Sequence, residues 1–275
     1  MIMRTDYSVC MSVYKNDNPL DFEDAVMSIY NQTCPPDEII LVIDGPVPDM
    51  MLKTIETLSE KTGIMKVIPL SKNMGHAIAR QTGLEAARNE LCAVMDADDL
   101  SVPNRFEKQL KAFEKHPEVS VVGGLINEFI HTTDNVVGTR VVPEKDSDIK
   151  EYLKSRCPMN LVTVMLKKSD VLKVGGYQDW YCEEDYYLWI RLALCGYKFY
   201  NIQENLVNVR VGEEMYQRRG GKKYFDSEAR LQKYMLDHKL ISLPKYAYNV
   251  LIRWAVQVAM PNWLRGWVFR TFARN

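Results

Sequence analysis

The feature that most constrains this chain is the junction between an apolar run and an acidic cluster at residues 91–99. Leu91 to Met95 is uninterrupted and has the length of a buried strand, and it ends in Asp96, Asp98 and Asp99, three carboxylates within four residues. Unpaired carboxylates are expensive to bury, so a core strand ends this way where a partner for the charge exists. A divalent cation is a natural partner, because such ions take one or two carboxylates and share their remaining positions with substrate phosphates. The pattern points to an enzyme that handles a nucleotide diphosphate. A plainer reading also stands at this point: the aspartates cap the next helix, with Pro103 in its first turn.

The flanking sequence alternates short apolar runs with helix-length segments. Strands are expected at Tyr7–Val13, Glu38–Ile43, 65–70, 91–95 and 119–122, and helices at 19–33, 49–61, 76–88 and 104–115. Phe22, Ala25, Val26 and Ile29 fall at helical spacing. Such alternation implies βαβ units and a largely parallel sheet, an α/β fold whose ligands bind beyond the carboxyl ends of the strands. Asp44 and the Asp96–Asp99 cluster occupy two such ends. The second half is less regular: a hairpin or loop near 124–142, helices at 183–195, 224–236 and 246–259, a strand at 205–210, and a further helix at 263–272 after a break at Pro261.

The balance of 35 basic and 36 acidic residues leaves no global field for nucleic acid. Six scattered cysteines, none in a CxxC pair, read as buried thiols rather than disulfides or zinc ligands. The four histidines are dispersed and read as structural. The N-terminus has no apolar core of signal-peptide length, and no stretch approaches a spanning helix. A cytoplasmic protein is expected.

Taken together, SVCMSVYKN, SIYNQTCPPDEIILVIDG and NMGHAIARQTGLEAARNELCAVMDADDLSVPNRFEKQ resemble glycosyltransferase family 2, the inverting nucleotide-sugar transferases of GT-A fold, over about residues 7–210. The resemblance implies a GT-A catalytic domain, 1–221, followed by a C-terminal helical extension, 222–275. It implies that Asp44 reads the donor base, as a carboxylate can by accepting from uracil or thymine N3–H. Ser12 and Tyr14 would line the nucleoside pocket, and Arg80 would lie near the nucleotide. Asp96 and Asp98 would hold Mn2+ or Mg2+, with Asp99 supporting the loop or touching the donor sugar. Glu183-Glu184-Asp185 resembles the late acidic motif, with Asp185 as general base and Glu184 beside it near the acceptor. Arg218 and Arg219, before Gly220-Gly221, would close over the diphosphate, since guanidinium binds phosphate bidentately. The Gln-x-x-Arg-Trp motif of processive synthases is missing, which favours a single addition, to a hydroxyl of a glycan or lipid-linked oligosaccharide.

The rival readings are a sugar-nucleotide pyrophosphorylase and a non-catalytic nucleotide-sugar-binding relative. The first lacks its Gly-rich loop after strand one, and the second is disfavoured by the presence of both Asp98 and Asp185. From His238 onward the chain has no acid but six Lys or Arg and three of the five tryptophans. Leu251, Trp254, Ala255 and Val258 would share a helical stripe. Two readings remain open: a helix lying in a membrane interface on the cytoplasmic face, or one packed on the catalytic domain.

Overall fold

The computed structural model describes residues 6–212 and 221–260. In chain order these form β1 (Tyr7–Val13), α1 (Pro19–Tyr30), β2 (Glu38–Ile43), α2 (Asp49–Thr62), β3 (Met65–Pro69), α3 (His76–Ala86), β4 (Leu91–Val94), β5 (Leu100–Ser101), α4 (Arg105–Lys115) and β6 (Val119–Phe129). There follow β7 (Val136–Arg140), α5 (Asp146–Leu153), β8 (Met165–Lys167), α6 (Lys168–Lys173), α7 (Glu184–Leu194), β9 (Lys198–Arg210), α8 (Lys222–Asp237) and α9 (Leu243–Trp254), the last running into a π-helical turn at Ala255–Ala259.

One nine-stranded sheet runs in the order β3-β2-β1-β4-β8-β6-β9-β5, with β7 paired to β6. Its first four strands are mutually parallel. Both faces of this part are covered, which is why its central strands read as continuous apolar runs. Side chains alternate between two cores. Val9, Met11, Ile39 and Leu41 pack with Phe22 and Ile29 of α1, Met51 and Ile55 of α2, and Phe106 and Leu110 of α4. Cys10, Ile40 and Cys92 pack on the other face with Leu84 of α3, Trp189 of α7, and Leu231 and Met235 of α8. The helices start and stop for local reasons. The Asn18 side chain accepts from Leu20 N at the head of α1, and α2 ends on left-handed Gly63.

The strands and helices of the first half lie where the sequence places them, with ends that match or differ by one to three residues except at β6. The second half adds to the reading. The sheet is mostly parallel as expected, but the short strand β8 is wedged antiparallel between β4 and β6, and β5 pairs antiparallel with β9. β6 continues to Phe129 through Gly123-Gly124 instead of ending at residue 122. At these glycines β9 crosses so closely that an added Cβ would lie 2.5 Å from Asn201 Oδ1 at one and 2.4 Å from Leu206 Cδ1 at the other. The pair that looks like a break is where two strands need room. β9 is correspondingly longer than the expected 205–210. The expected helix at 263–272 lies outside the described residues.

Candidate active site

The carboxyl ends of β1, β2 and β4 open on the same edge, and each carries expected site residues. β1 ends in Ser12 and Tyr14, both partly accessible. Ser12 lines a small cavity with Cys10, Arg80, Asp96 and Tyr177. Beyond β2, Asp44 is buried. Its two carboxylate oxygens accept from Met74 N at 2.6 Å and Gly75 N at 3.0 Å, and its carbonyl accepts from Asn73 Nδ2 at 3.2 Å. Asp44 thus holds the loop that leads into α3. The next residue must be glycine: Gly45 has φ +83°, and a Cβ there would meet Asn73 N at 2.4 Å.

Arg80 is not a solvated helix residue. It reaches from α3 to both acidic centres, with Nη1 2.5 Å from Glu184 Oε1 and Nη2 3.3 Å from Asp96 Oδ1. Burial opposes its charge, but Asp96 and Glu184 more than offset that and hold its pKa above the ordinary value. One guanidinium therefore ties the end of β4 to the start of α7.

At the acidic loop the three aspartates differ. Asp96 is 41% exposed. Asp98 is exposed at the surface, but the protein crowded around it desolvates its carboxylate, and this with the charge of Asp96 pushes its carboxyl up to about 6. Asp99 is buried and its Oδ1 accepts from Arg210 N at 2.9 Å, so it fastens the loop to the end of β9. Its carboxyl is raised well above the usual range by burial, then by Asp98 and Asp96. Arg210 Nε also donates to Asp98 O at 3.2 Å and pairs with Asp21 Oδ1 of α1 at 3.2 Å. Below the loop, Arg105 is fully buried. Its Nη2 donates to Val94 O at 2.9 Å, and desolvation pushes its pKa down to about 9.

The Asp98 carboxylate, desolvated beside Asp96 and with Arg210 as its neighbouring cation among the described residues, suits a divalent ion that completes its shell with phosphate oxygens. No group of three or more His, Cys, Asp or Glu side chains gathers as a metal cluster among the described residues. The donor set fits an ion shared with a diphosphate rather than one caged by protein.

At the start of α7, Glu183 accepts from Tyr224 Oη at 2.8 Å, and Glu184 binds Arg80. Asp185 Oδ1 accepts from Tyr186 N at 2.7 Å, and Oδ2 lies 3.7 Å from Cys157 Sγ. Burial first, then the charge of Glu184, raises the Asp185 pKa, while Arg80 opposes the rise. Among the described residues, Asp185 thus keeps one oxygen whose hydrogen-bond partner is a thiol, a weak donor.

Three neighbours escaped the sequence reading. Asp17, on the turn after β1, accepts from Tyr14 N at 2.8 Å. Desolvation, with Asp98 and Asp96 nearby, raises its carboxyl to about 6. Cys157 was counted only as a thiol. Tyr177, buried with an unpartnered hydroxyl, follows Gly175-Gly176, a Gly-Gly-aromatic signal that was available shortly before the acidic motif. Arg218 and Arg219 lie outside the described residues.

Comparison with known proteins gives the family and the fold. Glycosyl transferase family 2 matches residues 8–173, and Glycosyl transferase family group 2 matches residues 91–272. The chain belongs to glycosyltransferase family 2 and is a transferase of that class, which removes the pyrophosphorylase and non-catalytic readings. It is 34% identical over 269 residues to the Escherichia coli UDP-Gal:alpha-D-GlcNAc-diphosphoundecaprenol beta-1,3-galactosyltransferase, covering 98% of this chain and 97% of that protein. It is also 34% identical over 248 residues to the amylovoran biosynthesis glycosyltransferase AmsE of Erwinia amylovora, covering 90% and 92%. Staphylococcus aureus TarS 1–349 in complex with UDP-GlcNAc superposes with a TM-score of 0.64 at 16% identity, over 91% of this chain and 73% of that one. This chain spans 44% of the longer TarS chain. The fold is GT-A.

Proposed function

We propose that the protein transfers one sugar, with inversion, from a UDP- or dTDP-linked donor to a hydroxyl of a lipid-linked oligosaccharide. The observation that carries this reading is the Arg80 bridge, which sets a donor-side carboxylate, Asp96, and the acidic start of α7 on one guanidinium. The full-length likeness to a galactosyltransferase named for a UDP-sugar and a diphosphoundecaprenol acceptor supports the substrate classes.

In this reading Ser12, Tyr14 and Asp44 border the nucleoside, and Asp44 keeps unused lone pairs on the carboxylate that already holds the Met74–Gly75 amides. Asp98 and Asp96 hold Mn2+ or Mg2+, which when bound supplies Lewis-acid stabilisation of the departing diphosphate. Asp185 removes the proton from the acceptor hydroxyl as that oxygen bonds to the sugar C1. The C1–O bond to the diphosphate breaks on the opposite side, and the nucleoside diphosphate leaves with the bonding pair. A raised pKa serves such a base, because catalysis is best when the base's pKa approaches the working pH. Arg218 and Arg219 would supply guanidinium groups to the diphosphate, as the family resemblance implies. The enzyme works on the cytoplasmic face of a membrane, held peripherally through residues 222–275. No helix among the described residues is long and apolar enough to cross a bilayer.

The test pairs two variants. Asp185→Asn is expected to retain UDP binding and lose about 100-fold or more in transfer. Asp98→Asn is expected to lose the stabilisation that Mn2+ with UDP gives the wild type. In the wild type, kcat should rise with pH through an inflection above the ordinary carboxylate range. If Asp185→Asn transfers normally per bound donor, the base assignment is wrong.

A further inference from the structure

Helix α9 is attached the wrong way round for a helix of a globular protein. Such a helix ordinarily turns its apolar stripe to the core and its polar face to water. Here the side toward the protein is mostly polar, with Tyr246 packed against the core. Asn249, buried, donates through Nδ2 to Lys154 O at 2.8 Å and to Gln232 Oε1 at 2.7 Å. One turn on, Arg253 Nη2 donates to Ser155 O at 2.7 Å, and Nε pairs with Glu228 Oε1 at 3.2 Å. Gln257 also donates to Glu228, and its carbonyl accepts from Gly221 N. The opposite face carries Leu243, Tyr248, Leu251, Ile252, Trp254 and Val258, all 42–64% exposed. This includes the stripe that the sequence left open between membrane and core.

We infer that the outward face of α9 docks on an anionic lipid bilayer. Charge decides between occupants. No Asp or Glu occurs from His238 to the end of the sequence, which carries five Lys or Arg besides the inward Arg253, although the whole chain has net charge −1. Lys239 is exposed, and Lys245 Nζ lies 6.0 Å from the Tyr248 ring centroid on the same helix. A two-fold contact between copies through this face would set like charges against each other. A bilayer with anionic headgroups takes up both the aliphatic and aromatic side chains and the ammonium groups.

The inward contacts give the docking its functional place, and this step rests on the proposed base. The turn gripped by Asn249 and Arg253, at Lys154 and Ser155, runs on to Cys157, whose Sγ lies 3.7 Å from Asp185 Oδ2. The bilayer-facing helix and the base thus grip one short stretch of chain. A lipid-linked acceptor keeps its tail in the membrane while its terminal sugar meets Asp185.

Flotation of the full chain with phosphatidylcholine vesicles, with and without phosphatidylglycerol, tests the surface. Binding is expected with the anionic vesicles and is expected to weaken with salt. Leu251→Gln with Trp254→Gln should reduce it by about tenfold or more, and Lys239→Gln with Lys245→Gln by about fivefold per residue. These exposed variants should keep the wild-type melting temperature and full transfer to a short-chain, water-soluble diphosphate-sugar acceptor. They should lose transfer to the long-chain acceptor in vesicles. No flotation at low salt overturns the inference. So does a dimer, seen by light scattering, that Leu251→Gln dissociates. Flotation needs no transfer, and transfer to the soluble acceptor needs no flotation. A wild type that floats but transfers to neither acceptor therefore overturns the catalytic reading and leaves the docking surface standing.

Discussion

Asp17 offers a direct measure of the electrostatic load at this site. Its carboxyl rises from 3.8 to about 6, chiefly through desolvation, with Asp98 and Asp96 adding to it. Each pKa unit corresponds to about 1.4 kcal/mol, so the charged form costs the fold at most about 3 kcal/mol. Water reaching this half-buried group screens that to about 1–2 kcal/mol. The folded pKa lies above the unfolded one, so between them the folded protein holds a proton that the unfolded chain has lost. Stability is full below about pH 4 and falls as pH rises through about 6. Asp17→Asn removes the charge and keeps an oxygen to accept from Tyr14 N. In metal-free buffer at pH 7.5 it should raise the melting temperature by about 2–8 °C, since each kcal/mol moves a chain of this size by about 2–4 °C. The gain should roughly halve near pH 5, where much of the wild-type carboxyl is already protonated. Mn2+ should shrink the gain by stabilising the wild type. Thermal unfolding from pH 4.5 to 8 reads all three. A gain that does not vary with pH, or a loss at pH 7.5, refutes the account.

Other substitutions probe separate parts of the site. Arg80→Lys replaces a fork with one point charge that cannot serve Glu184 and Asp96 together; transfer should fall by about tenfold or more, with a stability loss of about 1 kcal/mol or more in denaturant titration. Gly45→Ala forces a left-handed alanine and a clash with Asn73 N, and should cost about 2 kcal/mol or more. Because that clash displaces the loop Asp44 holds, UDP affinity by calorimetry should fall as well. Cys157→Ser places a stronger donor on Asp185 and should lower the pKa of the kcat–pH profile, whereas Cys157→Ala should leave it near wild type or raise it.

The parallel half of the fold was legible because its strands are buried on both faces and separated by helices of ordinary length. Tyr7–Val13 and Glu38–Ile43 were read to the residue for that reason. The strand β8 was not, because Met165–Lys167 is too short for a period to show, and its neighbours β4 and β6 make it a strand. Asp96, Asp98, Glu184 and Asp185 announced themselves by clustering. The groups that govern their charge did not: Arg80 lies 104 residues from Glu184, and nothing local marks it as a bridge. Asp17 reads locally as a turn former, and only the folded sheet edge brings it near Asp98. The stripe on α9 was visible, but its direction was not. Periodicity tells which side chains share a face, whereas the direction is set by Asn249, Arg253 and Gln257 finding partners on other elements.

The clamp on the acidic loop has a consequence for how the protein is made. Asp99 is fastened by the amide of Arg210, 111 residues further along, and the short strand that follows the acids pairs only with β9, at Val207 and Asn208. A ribosome delivers Asp96, Asp98 and Asp99 long before it delivers their anchor. Through that interval the nascent chain carries the acids with an unfinished edge, and a fragment ending at residue 173 would never close it. In the proposed reading the donor side of the site is thus closed by β9, and nucleotide-sugar binding is expected of a chain that reaches Arg210 and not of one that stops at residue 173.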